Sequence, residues 1–354
     1  MYSYTQLTDT LVSVFQKMGC SSEDAQRSAD VLVRAELRGI PSHGVLRGLE
    51  IFRVWEAGRI NTSPNIRIVH ETLSTATVDG DGGIGMVVGQ RAMSIAIEKA
   101  RNAGSAWVAV RNSNNFSIAG YYSMMALEHD MIGFSMTGAS PLVAPTYSAD
   151  RLLGTNPISV AIPAGEQPPF VADFATTPIT RGKLTVYSKE NKKVSEGYVQ
   201  DRYGKPSNDP GVLEEGGAIL PLGGDYEHGG HKGYCLGSIV DILSGVLGGA
   251  NFGSFVPPMV AYLPVLQQTV GKGLGHFFGA MRVDAFRPVE EFKQSMDEWI
   301  SLFRSSKPAE GHSEVLIPGD PERKNEQKNM QKGISLLPAI ENELNEVLQK
   351  LGLA

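Results

Sequence analysis

Cysteine is nearly missing from this chain of 354 residues, with Cys20 and Cys235 the only two. One disulfide at most can form, so a secreted disulfide-stapled scaffold is excluded. Surplus positive charge is missing as well. Against 38 Asp and Glu there are 32 Lys and Arg, a net charge of −6, so no broad basic field serves nucleic acid or an anionic membrane surface. Long apolar runs are also absent. The most apolar late stretch, Phe255 to Leu266, is broken by Pro257, Pro258 and Pro264 and is too short to span a bilayer. The first residues, Met1 to Gln6, contain no basic segment followed by an apolar one, which argues against a signal peptide. What remains is ordinary globular composition, 42% apolar and 20% charged. The length suits one large α/β unit or two to three lobes. A cytoplasmic enzyme is the expectation, with no nucleic-acid or membrane partner.

Periodicity predicts helices first. Leu7, Leu11, Val14, Phe15 and Met18 repeat at helical spacing up to Gly19, and Ser21 reads as the start of a second helix ending near Gly39. After Pro41-Ser42, a third helix is predicted from near His43 to Gly58. The texture then changes. Strands are predicted over 74–78, 106–110, 132–136, 158–162 and 169–174, and helices over 87–103, 118–128, 234–247, 289–303 and 337–351. The stretch 139–233, rich in Gly, Pro, Ser and Thr, reads as strands joined by long loops. Glu322 to Lys332 reads as a solvated connector.

Four short patterns can carry chemistry. Gly80-Asp81-Gly82-Gly83-Ile84-Gly85 satisfies G-x-G-x-x-G between a predicted strand and helix, as a dinucleotide fingerprint should. No following strand ends in an acidic residue, because Ala106 to Val110 leads into Arg111. In a chain with 40 glycines a structural turn is the favoured alternative. In Ser42-His43-Gly44-Val45-Leu46-Arg47, one helical turn separates His43 from Arg47. A 2-oxo acid presents a carboxylate beside a carbonyl. The planar fork of Arg47 can hold the first, and His43 can protonate the second as hydride arrives at carbon. Ser42 can orient the imidazole, and a helix start disfavours its charged form. The alternative is a surface loop with Ser42 as a helix cap. Asn112 to Phe116 and Gly154-Thr155-Asn156-Pro157 are turns or ligand loops. Gly229-Gly230-His231-Lys232-Gly233 opens a helix, where backbone N–H groups and Lys232 suit a pyrophosphate. His228 and His231 near Asp225 and Glu227 lack a further ligand at recognisable spacing, so no metal site is expected.

Several blocks, in order along nearly the whole chain, resemble the malate/L-lactate dehydrogenase type 2 family. They are Arg38 to Arg47, Val78 to Gly85, Asn112 to Phe116, Leu153 to Pro157, Asp173 to Thr177, Glu196 to Tyr198, Leu220 to Gly224, Gly230 to Tyr234 and Ile317 to Asp320. The resemblance implies an α/β fold that is not Rossmann, with a mixed, largely antiparallel sheet wrapped by helices. It implies a helical segment over 1–65 bearing the Ser-His-Gly motif, a cofactor- and substrate-binding region over 66–305, and a segment over 306–354 that packs back on the first helices. It also implies a homodimer using NAD or NADP. His43 falls at the family's proton-donor position with Ser42 as its relay, and Arg47 and Thr155 fall at substrate contacts. Asp173, Phe174, Ala175, His231, Lys232, Pro318, Gly319 and Asp320 fall where the family binds nicotinamide cofactor, so the Gly80 to Gly85 match becomes a decoy.

There is a departure at Asn115 and Ser117, where many members have His and Gly. In the ureidoglycolate branch that His is taken as the catalytic base. Asn only hydrogen-bonds, which leaves His43 as the proton carrier and Asn115 as a substrate contact. The expected activity is interconversion of a 2-hydroxy acid and its 2-oxo acid, with malate/oxaloacetate as first choice. Reduction of another 2-oxo acid, a diketo sugar acid or a cyclic imino acid is the rival within the class. A non-catalytic nucleotide-binding protein is the rival outside it.

Overall fold

The computed structural model describes residues 1–353. It opens on three helices, α1 (Tyr4–Lys17), α2 (Ser22–Leu37) and α3 (Val45–Glu56). Ser3 and Gln6 cap α1 reciprocally, each side chain accepting from the other's backbone N–H. Ser21 accepts from the Asp24 N–H to start α2. The apolar faces of the three helices meet in one core around Leu7, Phe15, Leu32 and Phe52.

The next elements are β1 (Arg67–Glu71), β2 (Thr75–Asp79), α4 (Gly85–Ala103), β3 (Ser105–Ser113), α5 (Ala119–Met125), β4 (Met131–Thr137), β5 (Ile158–Ile162), β6 (Phe170–Phe174) and α6 (Arg181–Lys189). Short strands β7 (Val199–Gln200), β8 (Pro206–Ser207) and β9 (Ala218–Ile219) form a small sheet of their own. The chain ends with α7 (Gly230–Asp241), β10 (Leu274–Arg282), α8 (Val289–Arg304), α9 (Asp320–Lys332) and α10 (Pro338–Lys350). Among the described residues no helix is long and apolar enough to cross a membrane.

The main sheet has seven strands in the order β1-β2-β3-β10-β4-β5-β6. Only β2 and β3 pair in parallel, joined through α4, and the remaining neighbours are antiparallel. This is the mixed, largely antiparallel α/β sheet that the family resemblance implied. Ile340 and Leu344 of α10 join the core of α1 to α3.

Periodicity predicts no strand over 274–282, yet β10 is the central strand. β10 is buried along most of its length, so it shows no alternation of apolar and polar residues. Its glycines also disguise it. A side chain at Gly275 would collide with the Ser244 carbonyl, and one at Gly279 with the Trp107 ring. The supposed connector 322–332 is helix α9. It shows little apolar periodicity because it docks through polar groups. Asn329 Nδ2 donates to the Leu37 carbonyl at 2.9 Å, and Glu326 binds Arg34 at 2.9 Å and Arg38 at 3.0 Å, closing the open end of α2.

Candidate active site

Pro41 to His43 form a single 3-10 turn, and α3 starts at Val45 rather than near His43. Gly44, at φ −91° and ψ −129°, is not helical and separates this turn from α3. The α3 N-terminus is capped from outside, since Glu36 of α2 accepts from the Val45 N–H at 2.8 Å. A Cβ on Gly44 would collide with that carboxylate. Burial lifts the Glu36 carboxyl to about 7, against the lowering effect of the Val45 N–H.

Ser42 Oγ lies 2.9 Å from His43 Nδ1, the partnership read from the sequence. Burial, and then the positive charge of Arg47, push the imidazole down to about 3. The direction agrees with the sequence expectation, but the cause is crowding and a cation, not a helix start. His43 is therefore neutral at neutral pH, with Nε2 free of hydrogen bonds among the described residues. Arg47 Nε is buried and has no hydrogen-bond partner among the described residues. Burial depresses the Arg47 guanidinium, Glu50 opposes that, and nearby Arg181 adds to it. Arg181, at the first position of α6, has its guanidinium 5.5 Å from the Tyr262 ring centre. A buried cation with an unpartnered N–H, and a second cation near it, make a place for an anion. Nothing in the local sequence marks Arg181 as a site residue, although Thr180 ahead of it is a legible helix cap.

Behind this turn lies the 112–117 segment. Asn115 accepts from the Ser117 N–H at 2.9 Å, and its amide N is 3.0 Å from Met259 Sδ. Ser117 Oγ donates to the His43 carbonyl at 2.6 Å. His276 on β10, also missed from the sequence, bridges Thr137 Oγ1 at 2.7 Å and Ser113 Oγ at 2.8 Å. Burial holds it neutral, down to about 3.

The Gly80 to Gly85 loop stands between β2 and α4 as anticipated, and protein groups fill it. Asn114 Nδ2 donates to the Gly82 and Gly83 carbonyls at 2.8 and 3.0 Å, and Gly85 packs on the Asn114 and Asn115 carbonyls. Gly82 borders an apolar cavity of about 270 Å³ that reaches Asn115 and Met259.

The residues expected at a cofactor fall into two cavities. Asp173, Phe174, Pro318 and Gly319 line one of about 500 Å³, together with Arg38 and Ile40. Asp173 accepts from the Gly120 N–H at 2.7 Å. The cavity walls shield its carboxyl from water and raise it to about 6, offset by Gly120 and Arg38. Ala175 follows directly on the chain. Asp320 is engaged internally, accepting from Ile317 N–H at 2.9 Å, Arg304 at 3.1 Å and Arg323 at 2.6 Å. His231 lines a separate cavity with Tyr147 and Tyr226. Exposed Lys232 sits beside His231 in the first turn of α7, which begins four residues before the predicted start at Tyr234. Thr155 offers its carbonyl to the Thr176 N–H at 2.9 Å.

A family model described as malate/L-lactate dehydrogenase matches residues 2–345. Malate dehydrogenase of Pyrococcus horikoshii is 40% identical over 348 residues, 98% of this chain and 94% of that protein. L-sulfolactate dehydrogenase of Methanocaldococcus jannaschii is 40% identical over 343 residues, 97% of this chain and 95% of that protein. The solved structure of the latter superposes with a TM-score of 0.90 at 39% identity, covering 99% of this chain and 97% of that one. The solved malate dehydrogenase from P. horikoshii also gives 0.90, at 38% identity, covering 100% of this chain and 96% of that one. With the model and these relatives matched across almost its full length, the chain belongs to the malate/L-lactate dehydrogenase family of hydroxy acid oxidoreductases.

Proposed function

We propose that the protein is an NAD(P)-dependent dehydrogenase interconverting malate and oxaloacetate, with His43 carrying the proton. The Ser42–His43 pair beside a buried, unpartnered Arg47 nitrogen is the observation that supports this most directly. Arg47 takes the carboxylate next to the reacting carbon, and Thr155 and Asn115 border the substrate space. Ser42 fixes the imidazole through Nδ1, leaving Nε2 to accept the hydroxyl proton on oxidation and return it on reduction. Arg181 favours a substrate with a second acid group. Malate and sulfolactate, the acids named for the two relatives above, both have one.

Asp173, Phe174, Ala175, Pro318 and Gly319 are assigned to the cofactor, with Asp320 holding their loop and His231 and Lys232 contributing from α7. The open, partly apolar cavity beside Asp173 supports this fit. When bound, the nicotinamide supplies or accepts the hydride. A cytoplasmic homodimer completes the proposal. Its dimeric part is supported by exposed Ile242, Val246 and Leu247 after α7 and by exposed Val265 and Leu266 before β10. Mixing the protein with NADH or NADPH and a panel of 2-oxo acids tests it. Oxaloacetate should turn over best. Cofactor binding with no turnover of any acid would leave a nucleotide-binding protein instead.

Two substitutions sharpen the assignment. Arg47→Lys keeps charge but loses the fork, and should lower kcat/KM for oxaloacetate roughly ten- to hundred-fold. Arg181→Leu should lower it more for oxaloacetate than for pyruvate, and equal losses would detach Arg181 from the second acid group.

For the cofactor, Lys232→Ala should weaken NADH or NADPH binding roughly ten- to hundred-fold, the size of one charge-assisted contact. Gly82→Ala should cost about 1 kcal/mol of stability, because Gly82 has φ +69° while its new Cβ would meet only Asn61, at 3.8 Å. It should leave binding intact. The reverse pattern by fluorescence titration would move the cofactor to the glycine loop.

A further inference from the structure

We infer that Asn115 and Ser117 form a clamp that sets the position of His43, which makes Ser117 a positioning residue for proton transfer. The inference rests on the proposal that His43 carries the proton. Ser117 has φ +68°, in the left-handed region that disfavours any side chain. It is nonetheless 4% exposed, and its hydroxyl is used, donating to the His43 carbonyl at 2.6 Å. Asn115 maintains the turn by accepting from the Ser117 N–H, and its other end meets Met259. The Asn115 amide is thus occupied at both ends by protein. Through its bond to the Ser117 N–H, Asn115 supports the clamp as well as bordering the proposed substrate space.

The turn is fastened to the sheet. Phe116, between the two residues, stacks on His276 at 4.7 Å and on Tyr122 at 4.6 Å. The Tyr122 hydroxyl donates to the Phe116 carbonyl. His276 in turn joins β10 to the ends of β3 and β4 through Ser113 and Thr137. On the other side, Gly120, three residues after Ser117, binds Asp173 in the proposed cofactor cavity. One short segment therefore touches the His43 turn at Ser117 and the cofactor cavity at Gly120. The hydroxyl bond ties the proton carrier to the frame that holds the cofactor. Ser42 orients the ring only within the His43 turn itself.

The test compares Ser117→Gly, Ser117→Ala, Asn115→Ala and the Asn115→Ala/Ser117→Gly pair with wild type, using oxaloacetate with NADH and with NADPH. His43→Ala is the control. Glycine is the residue the backbone prefers, so Ser117→Gly should melt near or above wild type. Having lost the hydroxyl, its kcat should still fall roughly ten-fold, the value of one hydrogen bond, with substrate KM and cofactor Kd near wild type. Ser117→Ala should lose the same kcat and melt lower. The pair should match Ser117→Gly alone, because both changes act through one clamp. Wild-type kcat in Ser117→Gly overturns the clamp. So does a kcat loss that comes with a lowered melting temperature or weakened cofactor binding in that variant, which marks a purely structural role. If His43→Ala is inactive while Ser117→Gly is unimpaired, only the clamp fails. If His43→Ala keeps its turnover, the proton-carrier proposal fails and the clamp falls with it.

Discussion

Replacing His43 with Ala is expected to lower turnover ~100- to 10,000-fold, the usual cost of a lost general acid or base, while cofactor binding stays intact. The pH dependence should change with it. The imidazole of the free protein is pushed down to about 3, so it is already a base throughout the neutral range. Hydroxy acid oxidation should then have a nearly flat kcat/KM there. Reduction needs the protonated ring, and its kcat/KM should fall about ten-fold per unit rise in pH. Both behaviours should be lost in His43→Ala. Stability is linked in a definite sense. The folded value lies below the ordinary 6.5, so the unfolded chain takes up the proton first. The contribution of neutral His43 is complete above 6.5 and is lost as pH falls toward the folded value. Turnover in His43→Ala within a few-fold of wild type would remove His43 from the mechanism.

Phe278→Ala should destabilise the fold by ~3–5 kcal/mol, the range for removing a buried aromatic ring. Phe278 is 0% exposed in the middle of β10. Its ring meets Tyr122 edge-on at 5.5 Å and Phe116 at 6.1 Å. The neighbouring chain has little room to collapse into the cavity, because β10 is held on both sides by β3 and β4. Since Phe116 separates Asn115 from Ser117, kcat should fall in the folded fraction too. Urea unfolding measures the first effect, and a loss under about 1 kcal/mol would show that the site repacks.

The sequence reveals what local chemistry encodes. Ser21 announces α2 by its side chain, and Ile158–Ile162 is a strand at its predicted bounds. The Ser42–His43 contact is legible because adjacent residues need no tertiary information. What stays hidden is set by partners distant in sequence. Glu36 caps α3 from another helix. Ser117 in isolation is a serine in a polar loop, and only the fold brings the His43 carbonyl to it. Arg181 becomes a candidate once its charge is felt at Arg47. Helix α9 is held by hydrogen bonds and ion pairs to α2, which leave little trace in apolar periodicity.

The place of β10 also governs how the sheet can be assembled. As the chain leaves the ribosome, β3 and β4 are complete long before the strand that separates them, and their facing edges must wait unpaired until residue 282 has emerged. Closing the sheet is a late, long-range event, the kind of step that slows folding and leaves strand edges open to aggregation. His276 arrives on that same strand. The 113–117 segment beneath the His43 turn is held early by Tyr122 but gains its His276 contacts only when the last strand slots in, so closure of the sheet also completes the support of the proposed active site.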